Sequence, residues 1–220
     1  MSGERHLVSR YLGLDFSARL VDVARSRLAP RLPEAAAFGT WDMERRPTDR
    51  IEAWRGPGTA LVLLVGNTLG NVEDPVDTLR NVFDSCREGD VLVLGLYVAP
   101  PEGTDELPVY YSAEPIRDMI MEPLRAAGLD DSDVTFTSRF VDDEVVVNAR
   151  LNRDVRPLGV PLSRGEKLRC FRSRRFRPAG VREVLRGTGW EVVEHDVDAA
   201  IGHMVVTARR TASASSRAAR

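Results

Sequence analysis

Lysine is almost absent from this sequence: of 31 basic residues, Lys167 alone is not arginine. That skew reads as the mark of a G+C-rich gene rather than of a function. Cysteine is scarce too. Cys86 and Cys170 are too few and too far apart for a disulfide framework or a thiolate metal site. His6, His195 and His203 share no ligand spacing with any cysteine or acid cluster, which argues against a bound metal. No apolar run approaches the ~18 residues of a membrane span, and the N-terminus carries no signal-peptide stretch. Neither sign of charge dominates, since 33 acidic residues leave a formal net charge of −2. Such a chain has no overall field to draw nucleic acid or anionic lipid. A reduced, cytoplasmic protein is the expectation.

What is present suits one domain carrying a sizeable insertion: 220 residues, 43% hydrophobic and 29% charged. Tyr11 to Asp15 reads as a short buried strand ending in an acid. Ser17 then caps a helix whose stripe is Leu20, Val21, Val23, Ala24 and Leu28, stopped by Pro30 and Pro33. Ala35 to Phe38 is a weak strand closing at Gly39-Thr40-Trp41-Asp42. Thr59 to Val65 is a continuous apolar strand, followed by Gly66-Asn67-Thr68-Leu69-Gly70-Asn71 and a helix over 74–86. Gly89-Asp90 turns the chain into the strand Val91 to Leu96. This alternation predicts an α/β fold, a parallel sheet with helices on both faces.

The pattern breaks over 100–176, where prolines, a helix over 114–128 and alternating stretches such as Val145-Val146-Val147 point to an inserted α+β lobe. Core-type sequence resumes at 177–209 with a helix over 178–187 and strands over 190–197 and 202–208. The last residues, 210–220, form a low-complexity tail expected to be disordered.

Ligands of open α/β sheets bind beyond the carboxyl ends of the strands. Those ends carry Asp15, Asp42 and the loop 66–71. Asp15 suits both ribose hydroxyls of an adenosine cofactor, and equally suits a turn beside Ser17. Asp42 suits the adenine amino group, with Trp41 to cover the ring, though an Asp in a turn is common. Two glycines bracketing small polar residues let backbone approach a ligand closely, or serve turn shape alone.

At these residues the chain resembles the histidine-specific methyltransferases of ergothioneine biosynthesis, which use S-adenosyl-L-methionine. The resemblance rests on Leu14-Asp15-Phe16-Ser17, Gly39-Thr40-Trp41-Asp42 and Gly66-Asn67-Thr68-Leu69-Gly70-Asn71 with Asp74-Pro75. Gly165-Glu166-Lys167-Leu168 and Phe171-Arg172-Ser173-Arg174-Arg175-Phe176 extend it. It implies a Rossmann-like core over 1–99 and 177–209 and a substrate lobe over 100–176. S-adenosyl-L-methionine would lie at Asp15, Ser17, Trp41, Asp42, Gly66, Asn67 and Thr68. An amino-acid ligand would lie at Asn71, Tyr111, Phe171 and Ser173.

Two departures shape the expectation. Phe171 stands where the family has the acid that reads the imidazole ring, and a phenyl ring accepts no imidazole N–H. That points to an amino-acid-like substrate other than free histidine. The family's first strand, with its acid-Gly-x-Gly-x-Gly loop, has no counterpart before Arg10. That strand belongs in the sheet centre, between those ending at Asp15 and Val65. A partner chain in a homo- or hetero-oligomer fills the place, or the sheet closes up, or the reading frame starts upstream. An oligomer that supplies the strand is the expectation, against the alternative of a non-catalytic scaffolding subunit. The dense run Arg164, Lys167, Arg169, Arg172, Arg174, Arg175, Arg177 suggests RNA or phosphate binding, but offsetting acids favour an inter-lobe or solvated face.

Overall fold

Short apolar runs joined by amphipathic helices build three sheets in the computed structural model, which describes residues 10–32, 35–101 and 114–212. The chain begins with β1 (Tyr11–Asp15), α1 (Ala18–Leu28) and β2 (Ala36–Thr40), and the two strands pair in parallel. Ser17 caps α1 by accepting from the Leu20 N–H. A five-residue helix that sequence pattern does not announce, α2 (Arg50–Trp54), follows.

Next come β3 (Leu61–Leu64), the single turn α3 (Thr68–Asn71), α4 (Pro75–Asp84) and β4 (Val91–Tyr97). Asp74 starts α4 by accepting from the Val76 and Asp77 N–H groups, and Pro75 fits a first-turn position whose N–H has no intrahelical partner. After the insertion, α6 (Pro178–Gly187) leads to β8 (Trp190–Asp198) and β9 (His203–Arg210). The four core strands run in the order β3-β4-β9-β8, with β3 and β4 parallel and β9 antiparallel to both neighbours.

The insertion folds around its own sheet. Helix α5 (Glu114–Ala126) packs on β5 (Val134–Val141), β6 (Glu144–Leu151) and β7 (Lys167–Arg174), an antiparallel meander. Four of the seven basic residues lie on β7, where Lys167, Arg169, Arg172 and Arg174 pair with Arg150, Asn148, Val146 and Glu144, so across the bulge in this pairing they share one face of the lobe sheet. Residues 102–113, including Tyr111, lie outside the described residues, as do 1–9, 33–34 and the tail 213–220.

One face of the main sheet forms the core. Leu64, Leu92, Leu94, Leu96, Met204, Val206 and Ala208 bury against Leu79 and Val82 of α4 and Val181 and Leu185 of α6. Full burial of each large aliphatic side chain is worth about 1.5–3 kcal/mol. Trp190 closes this core, its ring edge-on to Phe83 at 5.6 Å and its N–H donated to the Leu79 carbonyl. At the amino-terminal end of the sheet, Asp90 is 2% exposed and accepts from the Arg55 guanidinium and the Ala60 and Arg87 N–H groups. A buried carboxylate so fully paired fixes where β3 and β4 begin.

The sheet is split. Strands β1 and β2 form one piece, β3-β4-β9-β8 another, and β1 does not pair with β3. Leu12 and Leu14 nevertheless pack against the same core cluster as Val62 and Leu64. The two pieces therefore share a core without sharing a ladder, and the sheet has not closed up across the centre.

Candidate functional site

At the carboxyl ends of β1 and β2, a cavity of about 920 Å³ is lined by Phe16, Trp41, Asp42, Thr40 and the segment 45–50. Asp15 sits at the end of β1, where its Oδ1 accepts from the Ser17 N–H at 2.8 Å. Its Oδ2 has no protein partner among the described residues, so acceptor capacity remains for a ligand. Ser17 is occupied as the cap of α1.

Trp41 is anchored rather than loose: its indole N–H donates to the Arg46 carbonyl at 2.8 Å, and its ring packs on the core cluster. Asp42 accepts from the Glu44 N–H through Oδ1 and pairs with Arg45 through Oδ2 at 3.1 Å. Both oxygens thus have partners, but the Arg45 side chain is 83% exposed and such a pair is weak. A Cβ on Gly39 would lie 2.7 Å from the guanidinium of Arg50, an exposed side chain free to move aside.

The loop after β3 is built differently. Gly66 and Asn67 are both left-handed, at φ 72° and 62°, which turns the chain sharply off the strand end. Asn67 is 1% exposed and spends its side chain inside the protein. Its amide donates to Ser173 Oγ and to the Arg174 carbonyl, both at 3.1 Å, and its oxygen accepts from the Tyr97 N–H at 3.0 Å. A Cβ on Gly70 would strike the Asn67 amide and the Arg174 carbonyl, the latter at 2.7 Å. The second glycine therefore makes room for a clamp between core and lobe. Thr68 donates its hydroxyl to the Val65 carbonyl at 2.7 Å.

The expected substrate residues divide accordingly. Ser173 is 2% exposed and accepts from both Asn67 and the Arg175 guanidinium. Phe171 packs with Ile120, Val145 and Val147 in a lobe cluster. Asn71, at the end of α3, is exposed. The structure thus joins Asn67 to Ser173, gathers Trp41 and Asp42 around the cavity, and leaves Asp15, Ser17 and 66–68 off the cavity's lining.

Phe16 is a lining residue that the sequence reading passed over. At 76% exposure, an aromatic placed directly after the strand-end acid was the available signal. Arg45, Arg46 and Arg50 also line the cavity, and nothing in their spacing marks them.

The basic run is matched by acids. Arg169 and Arg172 reach Glu73 at 2.6 and 3.0 Å, tying β7 to the segment before α4. Arg174 pairs with Glu144 and Arg177 with Asp143. Burial pushes the Cys86 thiol up to about 12 and also raises Cys170, so neither is an activated nucleophile. Among the described residues no cluster of His, Cys, Asp or Glu could hold a metal ion, and no helix is long and apolar enough to cross a membrane.

No family model matches the sequence, and a search of curated proteins returns no match. Solved structures do match. An S-adenosylmethionine-dependent methyltransferase from Clostridium acetobutylicum aligns over 92% of this chain and 76% of its own, at 12% identity and TM-score 0.51. One from Methanosarcina mazei aligns over 93% and 84%, at 13% identity and TM-score 0.50. The [4+2]-cyclase SpnF aligns over 93% and 67%, at 12% identity and TM-score 0.50. The chain has the Rossmann-like fold of the S-adenosylmethionine-dependent methyltransferases, with an α+β lobe inserted in it.

Proposed function

We propose that the chain is an S-adenosyl-L-methionine-dependent methyltransferase, or a subunit of one, acting on a small amino-acid-like substrate other than free histidine. The observation that carries the reading is the cavity at the ends of β1 and β2, lined by Phe16, Trp41 and Asp42, with Asp15 at the end of β1 next to Phe16 in sequence and holding an oxygen with no protein partner among the described residues. Those groups fit the adenosine half of the cofactor. Asp15 would accept from the ribose hydroxyls, Asp42 from the adenine amino group in competition with Arg45, and Trp41 and Phe16 would flank the ring. When bound, S-adenosyl-L-methionine supplies an electrophilic methyl group, so the protein's task is alignment rather than acid–base chemistry.

Binding at Gly66, Asn67 and Thr68 would have to use backbone, because the Asn67 side chain is committed to Ser173, Arg174 and Tyr97. On the substrate side, the resemblance to the histidine-specific family assigns Asn71 and Tyr111 to orient an amino acid. Phe171, seated in an apolar lobe cluster, favours an apolar or aromatic side chain. Calorimetry with S-adenosylhomocysteine tests the reading: saturable binding lost in Asp15→Ala supports it, and no binding defeats it.

The same clamp favours a second reading, a methyltransferase-like subunit without catalysis that scaffolds a partner. Loop residues expected to face the cofactor are spent on holding the lobe, and a fold alone does not fix chemistry. Such a subunit keeps the fold but has lost cofactor binding, so the same calorimetry separates the two: no heat with S-adenosylhomocysteine favours the scaffold.

A further inference from the structure

The lobe sheet turns Val145, Val147, Ala149 and Leu151 toward α5. Alternation therefore gives the opposite face Arg139 from β5, Arg150 from β6, and Lys167, Arg169, Arg172 and Arg174 from β7. Two carboxylates answer these six cations: Glu144 on the same face and Glu73 reaching over from the core. Arg139, Arg150 and Lys167 are exposed and have no acidic partner among the described residues. In a chain of net charge −2, this face is a local excess of positive charge.

The register makes that excess costly. Arg150 stands directly opposite Lys167, and like charges so placed destabilise a sheet. At the other end of the same ladder Arg174 stands opposite Glu144, the pairing that stability alone favours. Polar groups are also left over on this face. Thr137 Oγ1 and Arg174 Nη1 are shielded from water and have no hydrogen-bond partner. Asn148, between Thr137 and Arg169 in the register, has no side-chain partner among the described residues either.

We propose that this face docks an acidic polypeptide segment of a partner protein, an extended run with carboxylates at alternate positions. Such side chains recur about every 6.7 Å, the step that separates Lys167 from Arg169 along β7. Five of the six cations are arginine, whose planar fork takes a carboxylate through two hydrogen bonds. Thr137 and Asn148 lie in the middle, where they meet the main chain of the bound segment. Three strands and four alternate positions make a face of about 10 by 20 Å. That holds an extended segment of about six residues and falls short of the surface that a duplex covers. The face carries no aromatic residue, so single-stranded nucleic acid finds no stacking platform. Phe171 and Ser173 lie on the opposite face, so the docking surface is separate from the residues assigned to substrate.

Fluorescence anisotropy on the full chain tests this, with a short labelled peptide carrying glutamate at alternate positions. Binding should saturate and weaken as salt rises. Arg139→Glu with Arg150→Glu should weaken it by about tenfold or more. Arg19→Glu with Arg27→Glu, the same charge change on exposed residues of α1, should leave it unchanged. Lys167→Glu should raise the urea midpoint by relieving Arg150, and yet weaken the peptide. None of these readouts uses the cofactor, so failed binding of S-adenosylhomocysteine leaves the result standing. Added stability in Lys167→Glu with unchanged affinity, equal losses in the two double variants, or no binding by the parent chain would each overturn the proposal. Tighter binding of poly(U) would do so as well, assigning the face to nucleic acid. So would tighter peptide binding after Glu102→Gln, Asp105→Asn and Glu106→Gln, which assigns the face to the chain's own acidic run.

Discussion

Asn67 donates its side-chain amide to Ser173 Oγ across 3.1 Å, bridging residues 106 positions apart. It is the pin between the core and the inserted lobe. Asn67 sits at φ 62°, a conformation asparagine tolerates better than most residues, and its amide has three protein partners.

Asn67→Ala should therefore cost about 2–4 kcal/mol of unfolding free energy, from left-handed strain and buried groups left unpaired. Gly70→Ala should cost about 1–3 kcal/mol by overpacking against the same clamp. Urea unfolding of the two single variants and the double variant checks this. The double should cost clearly less than the sum, because both changes break one contact.

A second prediction concerns acid stability of the lobe. Asp133 is buried; hydrogen bonding from the Asp130 N–H and the Arg153 guanidinium holds its carboxyl below the ordinary value of 3.8. A carboxyl depressed in the folded state adds stability above its unfolded pKa and loses it as pH falls through the folded pKa. Unfolding free energy should thus decline from just above pH 3.8 downward, and Asp133→Asn should flatten that decline while lowering stability at pH 7. An unchanged slope in the variant would assign the acid sensitivity elsewhere.

A third concerns substrate. With Phe171 packed beside Ile120, Val145 and Val147, free histidine should be methylated poorly, and apolar or aromatic amino acids should be preferred. Methyl-transfer assays on the chain with histidine and with apolar and aromatic amino acids read the ratio directly. Robust turnover of histidine would remove Phe171 from the substrate site.

The core was legible because its apolar runs sit at strand length between capped helices. Asp74-Pro75 and Ser17 mark helix starts, and 190–208 reads as a closing hairpin that the structure confirms. The lobe's meander was less legible, since Ser138 takes an apolar position of β5 and a bulge opposite Val147 and Asn148 shifts the alternation of β7. Loop 66–71 was legible as special but open in purpose. Turn shape, ligand approach and interdomain clamping all select glycine and asparagine, and only the Cβ contacts at Gly70 show which constraint operates there. Phe16 was hidden because one exposed aromatic carries no periodic signal.

The central claim is that adenosine binds at the carboxyl ends of β1 and β2 through Asp15. Isothermal titration of S-adenosylhomocysteine into the chain and into Asp15→Ala, both checked for the same unfolding midpoint, tests it most directly. Because Asp15 also accepts from the Ser17 N–H, equal midpoints exclude simple loss of the turn. Saturable heat in the parent chain and none in Asp15→Ala is the predicted result. Equal affinity in both, or no heat in the parent, would contradict it.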